Sequence, residues 1–240
     1  MGTADGLIII PAYNEAKNIS QVLKDIRQFN YNIDIIVIND GSNDNTGQVV
    51  VQEGEKVINQ FYNLGYGGAL QTGFKYAVAM GYQYVIQFDG DGQHNPADLQ
   101  TIIEQVETGD VDIVIGSRFM IKNSFQISSA KKLAIAIFRL IIRASTGVRI
   151  TDPTSGFQGL NQRTFHYYSG MGNFPEDFPD ADTLIHMLKR NYRVIEVPVI
   201  MKNRWSGKSM HSGLKSIYYA IKMIVSIAVV LLRTKFKNFN

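Results

Sequence analysis

Two carboxylates stand one residue apart, directly after an apolar run, in the segment FDGDGQHNP at residues 88–96. Asp89 and Asp91 alternate with Gly90 and Gly92, a composition typical of an open turn. Like charges this close repel, and each raises the pKa of the other. A divalent cation removes that penalty, and oxygen ligands suit Mg²⁺ or Mn²⁺, which also bind water and phosphate oxygens. The segment predicts a metal ion that binds together with a diphosphate, although an isolated turn of this composition is more often simply solvated.

Short β-rich runs alternate with helical stretches through the first half of the chain. The predicted strands are 7–11, 33–38, 55–59, 83–88 and 111–115, and the predicted helices are 15–28, 45–52, 67–80 and 96–107. This alternation predicts an α/β fold, with a mostly parallel, Rossmann-like sheet covered by helices on both faces. Ligands of such sheets bind at the carboxyl ends of the strands. Four polar loops fall at those ends: 11–15, 39–43, 89–93 and 116–118.

The second half predicts a longer helix at 128–145, a strand at 155–160, a helix near 180–190 and a strand at 193–200. A last helix is expected at about 212–235, where the apolar block 223–232 has Ser226 as its only polar residue. No stretch reaches the roughly 18 uninterrupted apolar residues of a membrane span. We therefore expect one domain over 1–211, followed by an amphipathic interfacial or oligomerisation helix in 212–240.

Charge is distributed unevenly although the net charge is only +3. Residues 113–151 and 197–240 contain no Asp or Glu, and together they hold 15 of the 24 lysines and arginines. Such segments suit phosphates, anionic membranes or nucleic acid. The chain has no cysteine, which excludes disulfides and thiolate metal sites and is compatible with a reducing compartment.

The segment NLGYGGA at 63–69 contains a glycine-rich loop of the kind that binds phosphates. It does not match the dinucleotide fingerprint, because Leu70 stands where the third glycine should be. Its small residues alternatively let a helix pack closely on the sheet. A nucleotide-binding oxidoreductase therefore stays a weak rival interpretation. A nucleic-acid-binding protein is weaker still, since the basic segments lack a recognisable nucleic-acid module.

Seven motifs in register resemble the family-2 glycosyltransferases of the GT-A fold. They are PAYNE, NDGS, NLGYGGA, DGDGQ, GSR, SGF and EVPVIMKNRWSGKS, within residues 7–213. The last block resembles the polyprenyl-phosphate sugar synthases of the dolichol-phosphate mannose synthase type. The resemblance implies an inverting, metal-dependent enzyme that uses a nucleotide-sugar donor and a polyprenyl phosphate acceptor.

Site residues follow from the resemblance, position by position. It places Asp40 at the base, Asp89 at the ribose and diphosphate, and the nucleotide pocket at Pro11, Ala12, Tyr13, Glu15 and Gly68. It places Asp91 with Gln93 at a Mg²⁺ or Mn²⁺ ion. The residues that it places at the acceptor phosphate are Arg118, Lys131, Lys132 and Arg204. Asp89, Asp91, Arg118, Arg204 and Asp180 are the expected catalytic residues. The chain departs from the family pattern at Asn39, where Asp is usual, and at Met210, where a Lys is frequent.

The acceptor decides the mechanism. A hydroxyl acceptor needs a general base, and Asp180, in an unusually acidic loop at 174–182, lies about where other family members place one. A phosphate monoester is already mostly dianionic at neutral pH and needs cations instead. The two acid-free segments favour a phosphate. Transfer from UDP-glucose to an undecaprenyl-type phosphate, for cell-wall or surface polysaccharide decoration, is the favoured expectation, and polysaccharide extension with Asp180 as base is the alternative.

A polyprenyl phosphate is a membrane lipid, so we expect the enzyme to act at a membrane surface. Helices 128–145 and 212–235 have apolar bodies and basic edges, as interfacial helices do. We expect a cytoplasmic, peripheral protein on the inner face of a bacterial cell membrane that forms homo-oligomers and does not bind nucleic acid. Many synthases of this kind carry added membrane spans. Because no such span is predicted in this sequence, a small membrane partner protein is a further expectation.

Overall fold

The computed structural model describes residues 4–121, 127–177, 179–202, 222–223 and 225–231. Its strands are β1 (Gly6–Ala12), β2 (Ile33–Asn39), β3 (Lys56–Asn59), β4 (Tyr84–Gln87), β5 (Ile113–Ser117), β6 (Gln158–Asn161) and β7 (Val194–Pro198). Its α-helices are α1 (Ile19–Arg27), α2 (Thr46–Gln52), α3 (Gly65–Met80), α4 (Leu99–Glu107), α5 (Ser129–Thr146), α6 (Gln162–Ser169) and α7 (Ala181–Lys189). A 3₁₀ turn, Pro96–Asp98, leads into α4.

All seven strands form one sheet in the order β3-β2-β1-β4-β6-β5-β7. β6 runs antiparallel to its neighbours β4 and β5, and the remaining neighbouring pairs are parallel. The parallel strands therefore end at the same edge, which we call the carboxyl edge. Loops after β1, β2, β4 and β5 meet there, as the sequence predicts.

Alternating side chains of the strands build a hydrophobic core on each face of the sheet. Leu7 and Ile9 of β1 belong to the core that packs beneath α3, α5, α6 and α7. Ile8 and Ile10 belong to the core beneath α1, α2 and α4. Helix α3 lies especially close to β1, because a Cβ atom on Gly73 would stand 2.4 Å from Ile9 Cγ2. The predicted mostly parallel sheet with helices on both faces is confirmed.

Two elements differ from the sequence prediction. The first helix was expected from residue 15 but begins at Ile19, because the Glu15 carbonyl accepts the N–H groups of Asn18 and Ile19 and residues 15–18 form a turn. Helix α6 was not predicted. It has only eight residues, and its start depends on Asn161, whose Oδ1 accepts the Thr164 N–H at 3.0 Å.

The described part of the C-terminal segment is helical at 222–223 and 225–231. Met223 and Ile227 are buried in the core beneath α3 and α7, and the Ser226 hydroxyl contacts the Asp182 carboxylate. Val225 and Val229 are exposed. The rest of the helix predicted at 212–235 lies outside the described residues. Within the described part of the chain, no helix has the length and hydropathy needed to cross a bilayer.

Candidate active site at the carboxyl edge

Loops 11–15 and 39–43 are hydrogen-bonded into one wall of the site. The Asn14 N–H donates to Ser42 Oγ at 2.9 Å, and the Asn43 N–H donates to Asn14 Oδ1 at 2.9 Å. Asn14 has φ 57°, a left-handed conformation that Asn tolerates well. Tyr13 projects with 45% exposure, whereas the Glu15 carboxylate accepts from Asn18 Nδ2 at 2.6 Å. Among the residues of this loop that were predicted to line the nucleotide pocket, which are Pro11, Ala12, Tyr13 and Glu15, Tyr13 is the exposed one.

Asp40 joins this wall to the start of α3. Its N–H donates to the Ala12 carbonyl at 2.9 Å. Its two carboxylate oxygens accept the N–H groups of Leu64, at 2.7 Å, and Gly65, at 3.0 Å. Burial raises the pKa of Asp40, and these two N–H donors partly oppose that effect. The carboxylate is buried at a helix N-terminus, where negative charge is favoured, and its expected contact with the base stays a prediction.

The glycines of NLGYGGA accommodate a protein loop. A Cβ atom on Gly67 would stand 2.0 Å from the Pro175 carbonyl oxygen, and one on Gly65 would stand 2.9 Å from that of Glu176. The Gly68 N–H donates to the same Glu176 oxygen at 3.0 Å. In this conformation the acidic loop therefore occupies the N–H group with which Gly68 would bind a phosphate. The nucleotide contact predicted for Gly68 is untested.

Asp89 is held by two side chains that the sequence did not single out for this role. Tyr66 OH donates to Asp89 Oδ1 at 3.0 Å, and His94 Nε2 lies 3.1 Å from Oδ2. His94 is buried between the rings of Phe88 and Phe157. Burial opposes ionisation of Asp89, but the contacts with His94 and Tyr66 and the charge of Arg118 bring its pKa below the usual value. The carboxylate is thus oriented before any ligand binds.

Tyr66 lies at the centre of the acidic part of the site. Its hydroxyl is so close to Gly156 that a Cβ atom there would stand 2.5 Å from it. Burial and the charge of Asp89 raise the pKa of Tyr66 well above its usual value, with smaller contributions from Asp180 and Asp91. The phenol therefore stays protonated and acts as a hydrogen-bond donor.

Asp91 and Gln93 have the chemistry that a magnesium or manganese ion requires. Asp91 Oδ1 accepts the Gln93 N–H at 3.0 Å, and the carboxylate is only partly buried. Among the residues described, no group of three or more His, Cys, Asp or Glu side chains has the geometry of a metal site. Mg²⁺ needs only one or two protein carboxylates when phosphates and water complete its shell. The oxygen donors present fit such an ion.

The second basic segment begins against this loop. The Lys202 N–H donates to the Gln93 carbonyl at 2.7 Å, and Met201 pairs with His94 in an isolated β-bridge. Arg204 lies two residues further on, outside the described residues. The backbone therefore brings a lysine of the acid-free C-terminal segment next to the candidate metal ligands, as a phosphate site would need.

Arg118 is held by a buried carboxylate. Its Nε and Nη2 atoms donate to the two oxygens of Asp152, both at 2.6 Å, and Nη2 also donates to Thr154 Oγ1 at 2.8 Å. Burial opposes the charged guanidinium, but the hydrogen bonds and charge of Asp152 raise the pKa of Arg118, and Asp180 and Asp89 add to the increase. Arg118 is therefore a fixed cation in the same electrostatic cluster as Asp89 and Asp180, two of the predicted catalytic residues.

The structure thus brings together Asp89, Asp91, Arg118 and Asp180, four of the five predicted catalytic residues. Asp180 precedes α7, and its charge acts on both Tyr66 and Arg118. Lys131 and Lys132 lie exposed in the first turn of α5. Their predicted contact with an acceptor phosphate stays a prediction, as does that of Arg204.

Sequence reasoning missed Tyr66, His94, Asp152 and Glu196 as parts of the site. Tyr66 and His94 lie inside quoted segments, NLGYGGA and FDGDGQHNP, but only contact distances reveal that both hold Asp89. Asp152 is the first acid after one acid-free segment, and Glu196 is the last acid before the other. That position was a signal, since a buried acid beside a basic segment usually has a cationic partner.

Comparison with known proteins identifies the family. A model of the family described as glycosyl transferase family 2 matches residues 7–168. Because the match covers more than half of the chain, the protein belongs to that family. This result confirms the resemblance seen in the sequence motifs.

Similar proteins include two enzymes that act on lipid phosphates. A UDP-N-acetylglucosamine–dolichyl-phosphate N-acetylglucosaminyltransferase from Methanococcus voltae is 30% identical over 246 residues, covering 92% of this chain and 97% of the relative. An undecaprenyl-phosphate mannosyltransferase from Micrococcus luteus is 27% identical over 215 residues, covering 86% and 87%. The similarity to polyprenyl-phosphate sugar synthases is thereby confirmed.

A solved structure confirms the GT-A fold. Glucosyl-3-phosphoglycerate synthase from Mycobacterium tuberculosis, in complex with Mn²⁺ and UDP-glucose, has a TM-score of 0.67 to this chain. The match covers 94% of this chain and 78% of the other at 16% identity, a level at which the likeness concerns the fold alone.

Tyr66→Phe tests the orientation of Asp89. The substitution keeps the ring and removes the hydroxyl that donates to the carboxylate. We expect kcat/KM for the nucleotide sugar to fall roughly ten- to hundredfold, the effect of losing one hydrogen bond to a charged group. Steady-state kinetics at saturating acceptor measure this, with circular dichroism to verify folding. Tyr62→Phe is the control, because Tyr62 is 81% exposed. Equal kinetics for the two variants would contradict the role of Tyr66.

Proposed function

We propose that this family 2 glycosyltransferase moves a hexose, with inversion, from a nucleoside-diphosphate sugar to a polyprenyl phosphate of the undecaprenyl type. UDP-glucose is the favoured donor, and decoration of a cell wall or surface polysaccharide is the favoured role. One observation carries the proposal: the carboxyl edge unites an acidic loop suited to a metal–diphosphate with the fixed guanidinium of Arg118 and the first lysine of a basic segment.

On the donor side, Asp91 and the Gln93 side chain would hold Mg²⁺ or Mn²⁺. The ion, when bound, neutralises the charge that develops on the diphosphate leaving group. Asp89, which Tyr66 and His94 hold, would contact the ribose and diphosphate. Asp40 would contact the base, and exposed Tyr13 would line the nucleotide pocket. The similar proteins named above support this assignment. Two of them are named as transferases acting on lipid phosphates, and the solved structure contains Mn²⁺ and UDP-glucose.

On the acceptor side, a dianionic phosphate attacks the anomeric carbon without losing a proton. It therefore needs positive charge and fixed hydrogen-bond donors rather than a general base. Arg118 is the described residue best placed to supply such donors, since it shares an electrostatic cluster with Asp89. Arg204, Lys131 and Lys132 are the further proposed phosphate ligands.

Helix α5 presents an apolar surface suited to a membrane. Its residues Ile135, Phe138 and Ile142 are buried, whereas Leu133, Ile137 and Leu140 are 65%, 41% and 68% exposed. The exposed three follow a spacing of four and three residues and therefore share one face of the helix. Lys132 and Arg143, which are exposed, lie along one side of that face, and Lys131 is exposed in the first turn. An apolar stripe with a basic edge matches an interfacial helix on anionic lipid, where a polyprenyl phosphate resides.

This surface supports a peripheral location on the inner face of a bacterial-type membrane. The proposal also includes formation of homo-oligomers and binding to a small membrane protein, since both would use exposed apolar surface of this kind.

One alternative function has an observation in its favour. The charge of Asp180 acts on Tyr66 and Arg118, so its carboxylate lies near both side chains. In a transferase that extends a polysaccharide, Asp180 would take the proton from an attacking sugar hydroxyl. The charge of the flanking segments makes a phosphate acceptor the better match.

Asp91→Ala tests the metal-dependent transfer. We expect the variant to fold normally and to lose transfer, since Asp91 is a partly exposed loop residue. In the wild type, excess EDTA should abolish transfer, and Mn²⁺ or Mg²⁺ should restore it. The measurement is product formation from a panel of nucleotide sugars with and without polyprenyl phosphate. Full activity in excess EDTA would overturn the metal assignment, and no transfer with any donor would overturn the acceptor.

Asp180→Asn distinguishes the two acceptor classes. With a lipid phosphate, the rate at saturating donor and metal should fall only modestly, because the nucleophile carries no proton. With a hydroxyl acceptor, loss of the base should slow the reaction on the order of 10²–10⁴-fold. A thousandfold loss with polyprenyl phosphate and intact folding would favour the polysaccharide-extending function.

Leu140→Asp tests the membrane surface of α5. Placing a charge on the exposed apolar stripe should weaken binding to vesicles that contain anionic lipid, without changing nucleotide binding. Flotation with liposomes measures the bound fraction. Val51→Asp is the matched control, because Val51 is 61% exposed on α2. If both variants float like the wild type, α5 is not the membrane-binding surface.

A further inference from the structure

A chain of buried hydrogen bonds connects β7 to Arg118. Glu196 of β7 accepts three donors from one loop: the Thr151 N–H at 2.7 Å, the Asp152 N–H at 2.8 Å and the Thr151 hydroxyl at 2.9 Å. These contacts fix the backbone of residues 151 and 152. Asp152 then fixes Arg118 through both side-chain nitrogens and through the Arg118 N–H, which donates to Asp152 Oδ2 at 3.0 Å.

The loop is held from two further directions. Thr151 Oγ1 lies 2.6 Å from Ser117 Oγ, at the end of β5. The Thr151 carbonyl accepts from Arg139 Nε of α5 at 2.6 Å. Asp152 is entirely buried, so its negative charge depends on Arg118 for compensation. These hydrogen bonds hold residue 151 from β5, β7 and α5, which fixes the position of the Asp152 carboxylate.

We propose that Asp152 and Glu196 are positioning residues that set the guanidinium of Arg118 for the acceptor phosphate. This inference rests on the proposed function, in which Arg118 binds that phosphate. Asp152 binds the guanidinium of Arg118 in a bidentate geometry, which fixes both the position and the plane of the guanidinium. Glu196 does not touch Arg118 and acts through the backbone of the loop.

Glu196 needs its carboxylate for this role. Both of its oxygens accept N–H groups, so a glutamine would present its NH₂ group to one of them and leave a donor facing a donor. The loop would shift to relieve that contact, and Asp152 would shift with it. Glu196→Gln nevertheless keeps the size of the side chain, and the rest of the sheet retains its contacts.

Steady-state kinetics of Glu196→Gln and Asp152→Asn test the proposal. We expect the KM for polyprenyl phosphate to rise roughly ten- to hundredfold, the range produced by loss of a charge-assisted hydrogen bond. The KM for the nucleotide sugar and the metal requirement should stay unchanged, because the loop lies on the acceptor side. Glu196→Gln carries the test by itself if Asp152→Asn does not fold.

Asp112→Asn is the matched control. Asp112 is also a buried carboxylate that accepts a backbone N–H, that of Arg193, and pairs with an arginine, Arg163. It precedes β5 at the opposite edge of the sheet, so its loss should affect stability without a selective rise in acceptor KM. If the three variants change the two KM values alike, Asp152 and Glu196 have only a structural role and the proposal is overturned.

The Nε–H signal of Arg118 in an NMR spectrum gives a second readout that needs no acceptor. Arg118→Lys assigns the signal, which should exchange slowly with water in the wild type because Nε donates to buried Asp152. Protection should be lost in Asp152→Asn, reduced in Glu196→Gln and retained in Asp112→Asn. Unchanged protection in Glu196→Gln overturns the proposal. If the wild type fails to use polyprenyl phosphate while the signal responds as expected, the proposed function fails and the positioning of Arg118 stands.

Discussion

The burial of carboxylates at the carboxyl edge is the constraint that organises this protein. A buried charge must be matched by donors or by an opposite charge, since water is absent. Asp40 uses the N–H groups at the start of α3, Asp89 uses Tyr66 and His94, and Asp152 uses Arg118. Asp91, like Asp89, is only partly buried. Because Tyr66 and His94 already hold Asp89, Asp91 is the acid of this loop that the proposed function assigns to a metal ion.

The pairing of buried carboxylates with hydrogen-bond donors also explains why α3 begins where it does. Its first turn presents N–H groups to Asp40 and Tyr66 to Asp89, and its glycines admit the loop that carries Glu176. That loop continues to Asp180, whose charge reaches Tyr66. A side chain at Gly67 would displace the loop, so the small residues there couple the donor side of the site to the acidic loop. A glycine-rich sequence at a helix start thus serves protein packing, in a position where sequence reasoning expects a phosphate.

The sequence predicted the fold and the meeting of the polar loops at the carboxyl edge, for identifiable reasons. The unbroken apolar run in β1, from Leu7 to Ile10, marks a strand buried on both faces, and each polar loop follows such a strand directly. Helix α6 was missed because its start depends on a single cap at Asn161. The partners of Asp89 and Arg118 were missed for a different reason. Tyr66, His94 and Asp152 are distant in sequence or ambiguous in type, and only the folded backbone brings them within hydrogen-bond range.

The pairing of Arg118 with buried Asp152 limits what Arg118 can contribute to binding of an acceptor phosphate. Arg118 carries a positive charge, but buried Asp152 already balances it, and Asp89 and Asp180 lie nearby. The pair can therefore orient a phosphate without adding net attraction for a dianion. That attraction has to come from cations without a buried counter-ion, such as the exposed lysines at the start of α5, and from the basic segment that begins at Lys202. In the proposed function, long-range attraction and precise orientation would thus come from different residues, and ionic strength should weaken the first far more than the second.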